Sequence, residues 1–230
     1  MRIVITQSNY IPWRGWFALV RSADLLVLYD SVQYTKRDWR NRNLIWTPNG
    51  EQWLSIPVTT KSRFHQSINE TEVNDRSWPK SHFGVISNTA RLYNSDPSIV
   101  ADFRHLFSKL SDFDRLSSIN LYSIQWIAER IGIDVRILTD EQFEFNGTPS
   151  KRLADIAQAA GASVYITGTA AKNYLDTTEF ELRHIDVEWT DYSSLPADNT
   201  LPSSPLELSI LDTMLRHGYE QSRFLSTFLP

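Results

Sequence analysis

The chain has 230 residues, 41% of them hydrophobic and 22% charged, with 23 Lys+Arg against 27 Asp+Glu and a formal net charge of −4. That composition belongs to a globular protein and excludes a mainly disordered chain or a basic nucleic-acid binder, while the absence of Cys removes disulfides, thiolate metal sites and thiol catalysis.

The start lacks the basic, apolar and small-residue regions of a signal peptide, and no apolar run approaches the ~20 residues that span a bilayer, so a cytoplasmic location without a membrane span is expected. Arg2 to Thr6 reads as a buried first strand. Apolar positions Trp16, Phe17, Leu19 and Val20 then form one helical face, and Leu25 to Asp30 a second strand. Two strands joined by so short a helix favour a parallel pair. Thr47-Pro48-Asn49-Gly50 between two apolar runs predicts a hairpin, and polar residues Thr59 to Asp75 predict a mobile excursion. Residues 78–93, 98–110 and 117–131 carry helical periodicity, the last stopping at Gly132.

A second β-α-β unit follows: Ile133 to Leu138, Ser150 to Ala160, and Ser163 to Thr167. Phe180 to Ile185 and Val187 to Tyr192 read as short strands and Ser193 to Ser204 as a surface loop. A helix from Pro205 to Arg216 stops at Gly218, followed by a last short one. The expected fold is a single α/β domain over residues 1–230: a mostly parallel, Rossmann-like, three-layer sheet with a helical section, 77–131, between its two β-α-β units.

Ligands of such sheets bind beyond the carboxyl ends of the strands, which singles out three segments. The first, Gln7 to Trp16, offers the amides of Gln7 and Asn9, the aromatic faces of Tyr10 and Trp13, and Gly15 for close approach. The second, Asp30 to Asn43, sets Lys36, Arg37, Arg40 and Arg42 against one carboxylate between Tyr34 and Asn43, with Gln33 and Asn43 as polar partners. Guanidinium groups suit phosphate or carboxylate. Asp30, at a strand end, can hold a hydroxyl, accept a proton or cap a turn. The third, Tyr165 to Leu175, places Gly168, Thr169 and Lys172 after a strand, a phosphate cradle without the Walker A spacing. His82 is a candidate general base. The five histidines make no metal-binding pattern, and no metal is expected. Asp212 and Arg216, four apart, are expected to pair.

With Gln7 to Trp16, the segment from Asp30 to Asn43 continuing to Val58, Tyr165 to Leu175, and Leu208 to Asp212, the sequence resembles the WbqC-like protein family. Ser8 stands where that family usually has Pro, and Thr167-Gly168-Thr169 where it usually has Ser-Gly-Pro. The resemblance implies a place in bacterial O-antigen or other surface-polysaccharide biosynthesis, hence sugar-nucleotide chemistry. A more distant likeness to the nucleotidylyltransferase superfamily implies a similar fold. There a His-x-Gly-His loop stabilises the transferred phosphate, whereas Trp13-Arg14-Gly15-Trp16 keeps the spacing without the histidines.

These observations lead to an expected transferase acting on a nucleotide-linked sugar, with acyl or aminoacyl transfer to an amino sugar as one form. Asp30 or His82 would move the proton. Its expected partner is a nucleotide-sugar or another phosphate-bearing small molecule, with no nucleic acid; no cofactor and no oligomeric state is specified. The alternatives are a non-catalytic sugar-nucleotide or partner-binding protein and a degenerate, ATP-using nucleotidylyltransferase-like enzyme.

Overall fold

The computed structural model describes residues 1–198, 200 and 207–228. Five parallel strands form the main sheet: β1 (Arg2–Thr6), β2 (Leu25–Leu28), β5 (Arg136–Thr139), β6 (Val164–Gly168) and β7 (Asp186–Thr190), in the order β5-β2-β1-β6-β7. β1 lies in register with β2 from Ile3↔Leu25 to Thr6↔Leu28, and β6 pairs with β7 from Val164↔Asp186 to Gly168↔Thr190. A separate antiparallel hairpin, β3 (Arg42–Thr47) and β4 (Gly50–Ser55), turns at Pro48-Asn49 as expected.

Helices cover both faces, which is why the central strands are apolar on both sides. Val4, Leu26 and Ile166 pack toward α1 (Arg14–Arg21), α4 (Leu116–Arg130) and α7 (Ile210–Leu225), a cluster that extends through α2 (Trp78–Tyr93) and α3 (Pro97–Leu110). Ile3, Ile5, Leu25, Val27 and Tyr165 face α5 (Pro149–Ala159) and α6 (Thr178–Glu181). The arrangement is the Rossmann-like α/β fold. No helix among the described residues is long and apolar enough to cross a membrane.

Two local expectations change. Phe180 to Ile185 is the helical turn α6 followed by a tight reversal, with His184 left-handed at φ 57°. Phe180 goes inward to stack on Tyr165, with ring centroids 4.8 Å apart, and Arg183 is held by Asp155 at 2.6 Å. Tertiary contacts therefore override an apolar pattern that is too short to separate strand from turn. The polar excursion at 59–75 is stitched down: the Ile68 and Asn69 amides donate to Val32 and Asp30 carbonyls, and the Val73 amide to Asp114. Ile68 and Thr71 are fully buried, while the tip from Lys61 to His65, Glu70 and the end at Asn74-Asp75 are exposed.

α7 bends at Gly218 (φ 76°, ψ 179°), where the sequence places a stop between two helices. Its start at Ile210 is capped by Ser209, whereas 199, 201–206 and 229–230, including the expected helix start at Pro205, lie outside the described residues.

Candidate functional site

The chain leaves β1 toward β2 and β5 on one side, then returns through β6 to the other. The carboxyl ends of β1 and β6 thus form the point where strand order reverses, and the helices on either side diverge there. A crevice of about 500 Å³ opens at this point. Thr6 and Gln7 line it from β1, Thr167 and Gly168 from β6, Trp16 and Leu19 from α1, and Pro149, Arg152 and Leu153 from the start of α5. Arg40 closes another side, and Tyr29, Tyr165, Tyr174 and Tyr192 supply four phenol rings. The lining holds two guanidinium groups and no carboxylate. It therefore favours an anion, and the rings of Tyr29, Tyr174 and Tyr192 suit a sugar or a base, Tyr165 being buried against Phe180.

Each cation is held in place. Arg40 donates to the Asn9 side-chain oxygen and lies 3.7 Å from Asp38, while its Nε is buried without a partner. Burial pulls its pKa down, with Asp38 and Asp30 opposing. Arg152 donates through Nε to the Gly147 carbonyl at 2.9 Å and stands against the Tyr29 hydroxyl; burial raises that hydroxyl's pKa, and Arg152 lowers it. Tyr165 is pushed up to about 12 by burial, so it stays a neutral phenol in neutral water.

The loop between β1 and α1 is under backbone strain. Ile11, a β-branched residue, has φ 38°, and its carbonyl accepts from Asn43 Nδ2 at 2.9 Å and Ser209 Oγ at 2.8 Å. Asn43 also donates to the Tyr10 carbonyl at 3.1 Å. It is a brace for the loop that carries Gln7 and Asn9. A Cβ on Gly15 would collide with the Trp13 indole, so the glycine makes room for that ring, which packs 5.2 Å from Tyr192 at the crevice rim.

Of the residues singled out by sequence, Gln7, Arg40 and Gly168 line the crevice. Asn9 orients Arg40, and Trp13 contacts the lining residue Tyr192. Asp30 faces an adjoining pocket of about 140 Å³ with Asn69, Thr139, Asp140 and Glu141. Its Oδ1 accepts the Ser8 amide at 2.8 Å, and burial raises its pKa to about 6, with the Ser8 hydrogen bonds opposing. Asp140 in turn accepts from the amides of Asp30 and Ser31 and from the Ser31 hydroxyl.

The remaining candidates lie elsewhere. His82 is buried against Trp78 and Phe107, with Tyr10's hydroxyl 2.9 Å from Nδ1; burial takes its pKa down to about 4. The Arg42 guanidinium sits 4.0 Å over Trp53 on the hairpin. Lys36 and Arg37 are exposed, Gln33 donates to the Phe64 carbonyl, Thr169 is exposed, and Lys172 lies 5.5 Å over Trp189. Among the described residues no group of three or more His, Asp or Glu is placed to hold a metal ion.

Arg152, Tyr29 and Tyr192 were missed by sequence reasoning, whereas Tyr165 and Tyr174 lie in the third segment it singled out, with no role assigned to them. Thr148-Pro149 announces a helix start, and Thr148 does accept the Lys151 amide. Arg152 in that first turn was therefore locatable at the carboxyl end of the sheet. Tyr29 and Tyr192 stand far apart along the chain and carry no local signal.

The model of the WbqC-like protein family matches residues 7–224, nearly the whole chain and every element that builds the crevice except β1, which ends just before it. The chain belongs to the WbqC-like protein family. A relative from Mycobacterium tuberculosis, named Uncharacterized protein Rv1507c, is 36% identical over 227 residues, covering 97% of each chain. No solved structure matches this WbqC-like chain.

Proposed function

We propose that this WbqC-like protein is a transferase that binds a nucleotide-linked sugar in the crevice at the β1/β6 switch point, in the biosynthesis of a bacterial surface polysaccharide. The observation that carries the reading is the pairing of Arg40 and Arg152 across a crevice with four tyrosines and no carboxylate. Two guanidinium groups match a diphosphate bidentately, and phenol faces match a base and a sugar ring. The volume suits a ligand of that size. Gln7 and Thr167 orient hydroxyls or the base edge. Asp30, beside Arg40 and with its pKa near neutrality, is the proposed proton acceptor for a group that reaches the smaller pocket. The donated group is an acyl or aminoacyl unit in this reading, which rests on the family resemblance.

Titration calorimetry with uridine-, thymidine-, guanosine- and cytidine-linked sugars tests it. Arg152→Gln should weaken binding by about 1.5–3 kcal/mol, roughly tenfold or more, through loss of a charge-assisted contact. Arg42→Ala, whose guanidinium is stacked on Trp53 outside the lining, should leave binding unchanged. Equal effects of the two substitutions, or failure of every nucleotide sugar to bind, would remove the assignment. Binding without turnover across acyl and aminoacyl donors would favour the non-catalytic alternative.

A further inference from the structure

A further cavity lies between the start of α2 and the end of α3 and shares no lining residue with the switch-point crevice. It is an open depression of about 240 Å³. Pro79, Phe83 and Phe107 form apolar walls, and Arg76, Lys80 and Arg104 bring three cations with no carboxylate in the lining. Arg76 is paired with Asp114. Lys80 and Arg104 have no ion-pair partner among the described residues, and Arg104 is held over the Phe83 ring, 5.1 Å from its centroid. The first turn of the sixteen-residue α2 carries no side-chain cap, although the Asp75 carboxylate, which accepts from the Ser77 amide and hydroxyl, offsets the positive field at that end. Ser108 and Ser111 contribute hydroxyls, although the Ser111 hydroxyl is turned to the Ser108 carbonyl at 2.6 Å.

The geometry points to a second anion site, one that takes a compact phosphate or diphosphate group between α2 and α3. Two cations without an ion-pair partner, Lys80 and Arg104, beside the Asp114-paired Arg76, make this a locally basic spot in a molecule of net charge −4. The depression is large enough for a phosphate with a short stem. A guanidinium fixed against an aromatic ring is pre-oriented, which lowers the entropy lost when it grips an oxyanion. The apolar walls would then meet the first carbons of whatever the phosphate is attached to. This site is independent of the nucleotide-sugar reading, because none of its lining residues lines the switch-point crevice.

The test is calorimetric titration of the full chain with inorganic pyrophosphate, in the wild type, in Arg152→Gln and in Lys80→Gln/Arg104→Gln. The expected result is a binding event that survives Arg152→Gln and weakens at least about tenfold in the double variant, with loss at raised salt. Circular dichroism melting of the double variant checks folding, since both side chains are exposed. Flotation with phosphatidylcholine vesicles, with and without phosphatidic acid, separates the sources. Binding only to the doped vesicles, lost in the double variant, assigns the phosphate to a lipid, and binding to pyrophosphate alone assigns it to a soluble compound. Pyrophosphate and vesicle binding both unaltered by the double substitution, or absent from the wild type, would overturn the site.

Discussion

Asp30 and His82 are buried groups whose ionised forms the fold disfavours, and they bend the pH dependence of stability in opposite directions. Asp30 titrates at about 6 in the fold and near 4 when unfolded, so between those values the folded state binds the extra proton. Stability therefore falls as pH rises through that window, by about 3 kcal/mol at about 1.4 kcal/mol per pH unit. His82 titrates at about 4 folded against about 6.5 unfolded, so its burden appears as pH falls through that range. Asp30→Asn should gain stability relative to wild type as pH goes from about 4 to about 7, and His82→Gln should gain as it goes from about 7 to about 4. Urea unfolding at a series of pH values reads both; difference curves flat with pH would show that neither group carries the linkage. His82 has a structural reason to be neutral, because its ring joins the Tyr10 hydroxyl to the Ser55 backbone and so ties loop, hairpin and helix together.

At the scale of elements, the β1–α1 loop and the bend in α7 show backbone held in costly conformations by the surrounding structure. Ile11 at φ 38° persists because Asn43 and Ser209, from the hairpin and the cap of α7, both donate to its carbonyl. Asn43→Ala removes two buried donors and should cost about 2–3 kcal/mol in chemical unfolding. It should also loosen the crevice, since the same loop carries Gln7 and Asn9. An Asn43→Ala variant with wild-type stability and ligand affinity would show that the strain is held elsewhere. Gly218 occupies φ 76°, ψ 179°, a region open in practice only to glycine. A Cβ there meets only Ile99 Cδ1 at 3.9 Å, so the cost of Gly218→Ala is conformational and about 1–3 kcal/mol, measurable as a lowered Tm.

Across the whole molecule, a buried charge network joins parts that no single element could hold. Asp212, fully buried in α7, accepts the Trp46 amide of β3 at 2.8 Å and Arg216 Nε at 2.7 Å, with the Tyr93 hydroxyl of α2 at 3.4 Å. Burial raises the pKa of Asp212, and Arg216 opposes it. Arg216 continues to Asp198 at 2.8 Å, and His217 reaches the same carboxylate at 3.2 Å. Asp212→Ala leaves the guanidinium half-paired in the interior and should cost about 3–5 kcal/mol. Replacing both partners, as in Asp212→Leu/Arg216→Met, should cost less than the single change, and a double-mutant cycle by thermal unfolding measures the difference. Additive losses would mean that the pair is not coupled. The switch-point crevice lies outside this network, so ligand affinity in the folded fraction should not follow these losses.

The sequence by itself determined the alternation of strands and helices around a parallel sheet, because buried strands must be continuous apolar runs and amphipathic helices must repeat near every third or fourth residue. It also determined the hairpin turn at Pro48-Asn49, the interruption at Gly218 and the Asp212–Arg216 pair, all of which depend on residues close along the chain. The crevice was legible only in part. Gln7, Arg40 and Gly168 follow strands or lie in a visible basic segment, whereas Arg152, Tyr29 and Tyr192 reach the site from separate elements. Strand order decided which loops meet: β6 returns to lie beside β1, so the loop after residue 6 faces the loop after residue 168. Tertiary packing likewise took Asn43, Tyr10 and His82 into bracing contacts and stacked Arg42 on Trp53. A side chain's type records what chemistry it can do, but its direction and its neighbours are set by contacts distant in sequence. Only the folded chain chooses between binding a ligand and holding a loop.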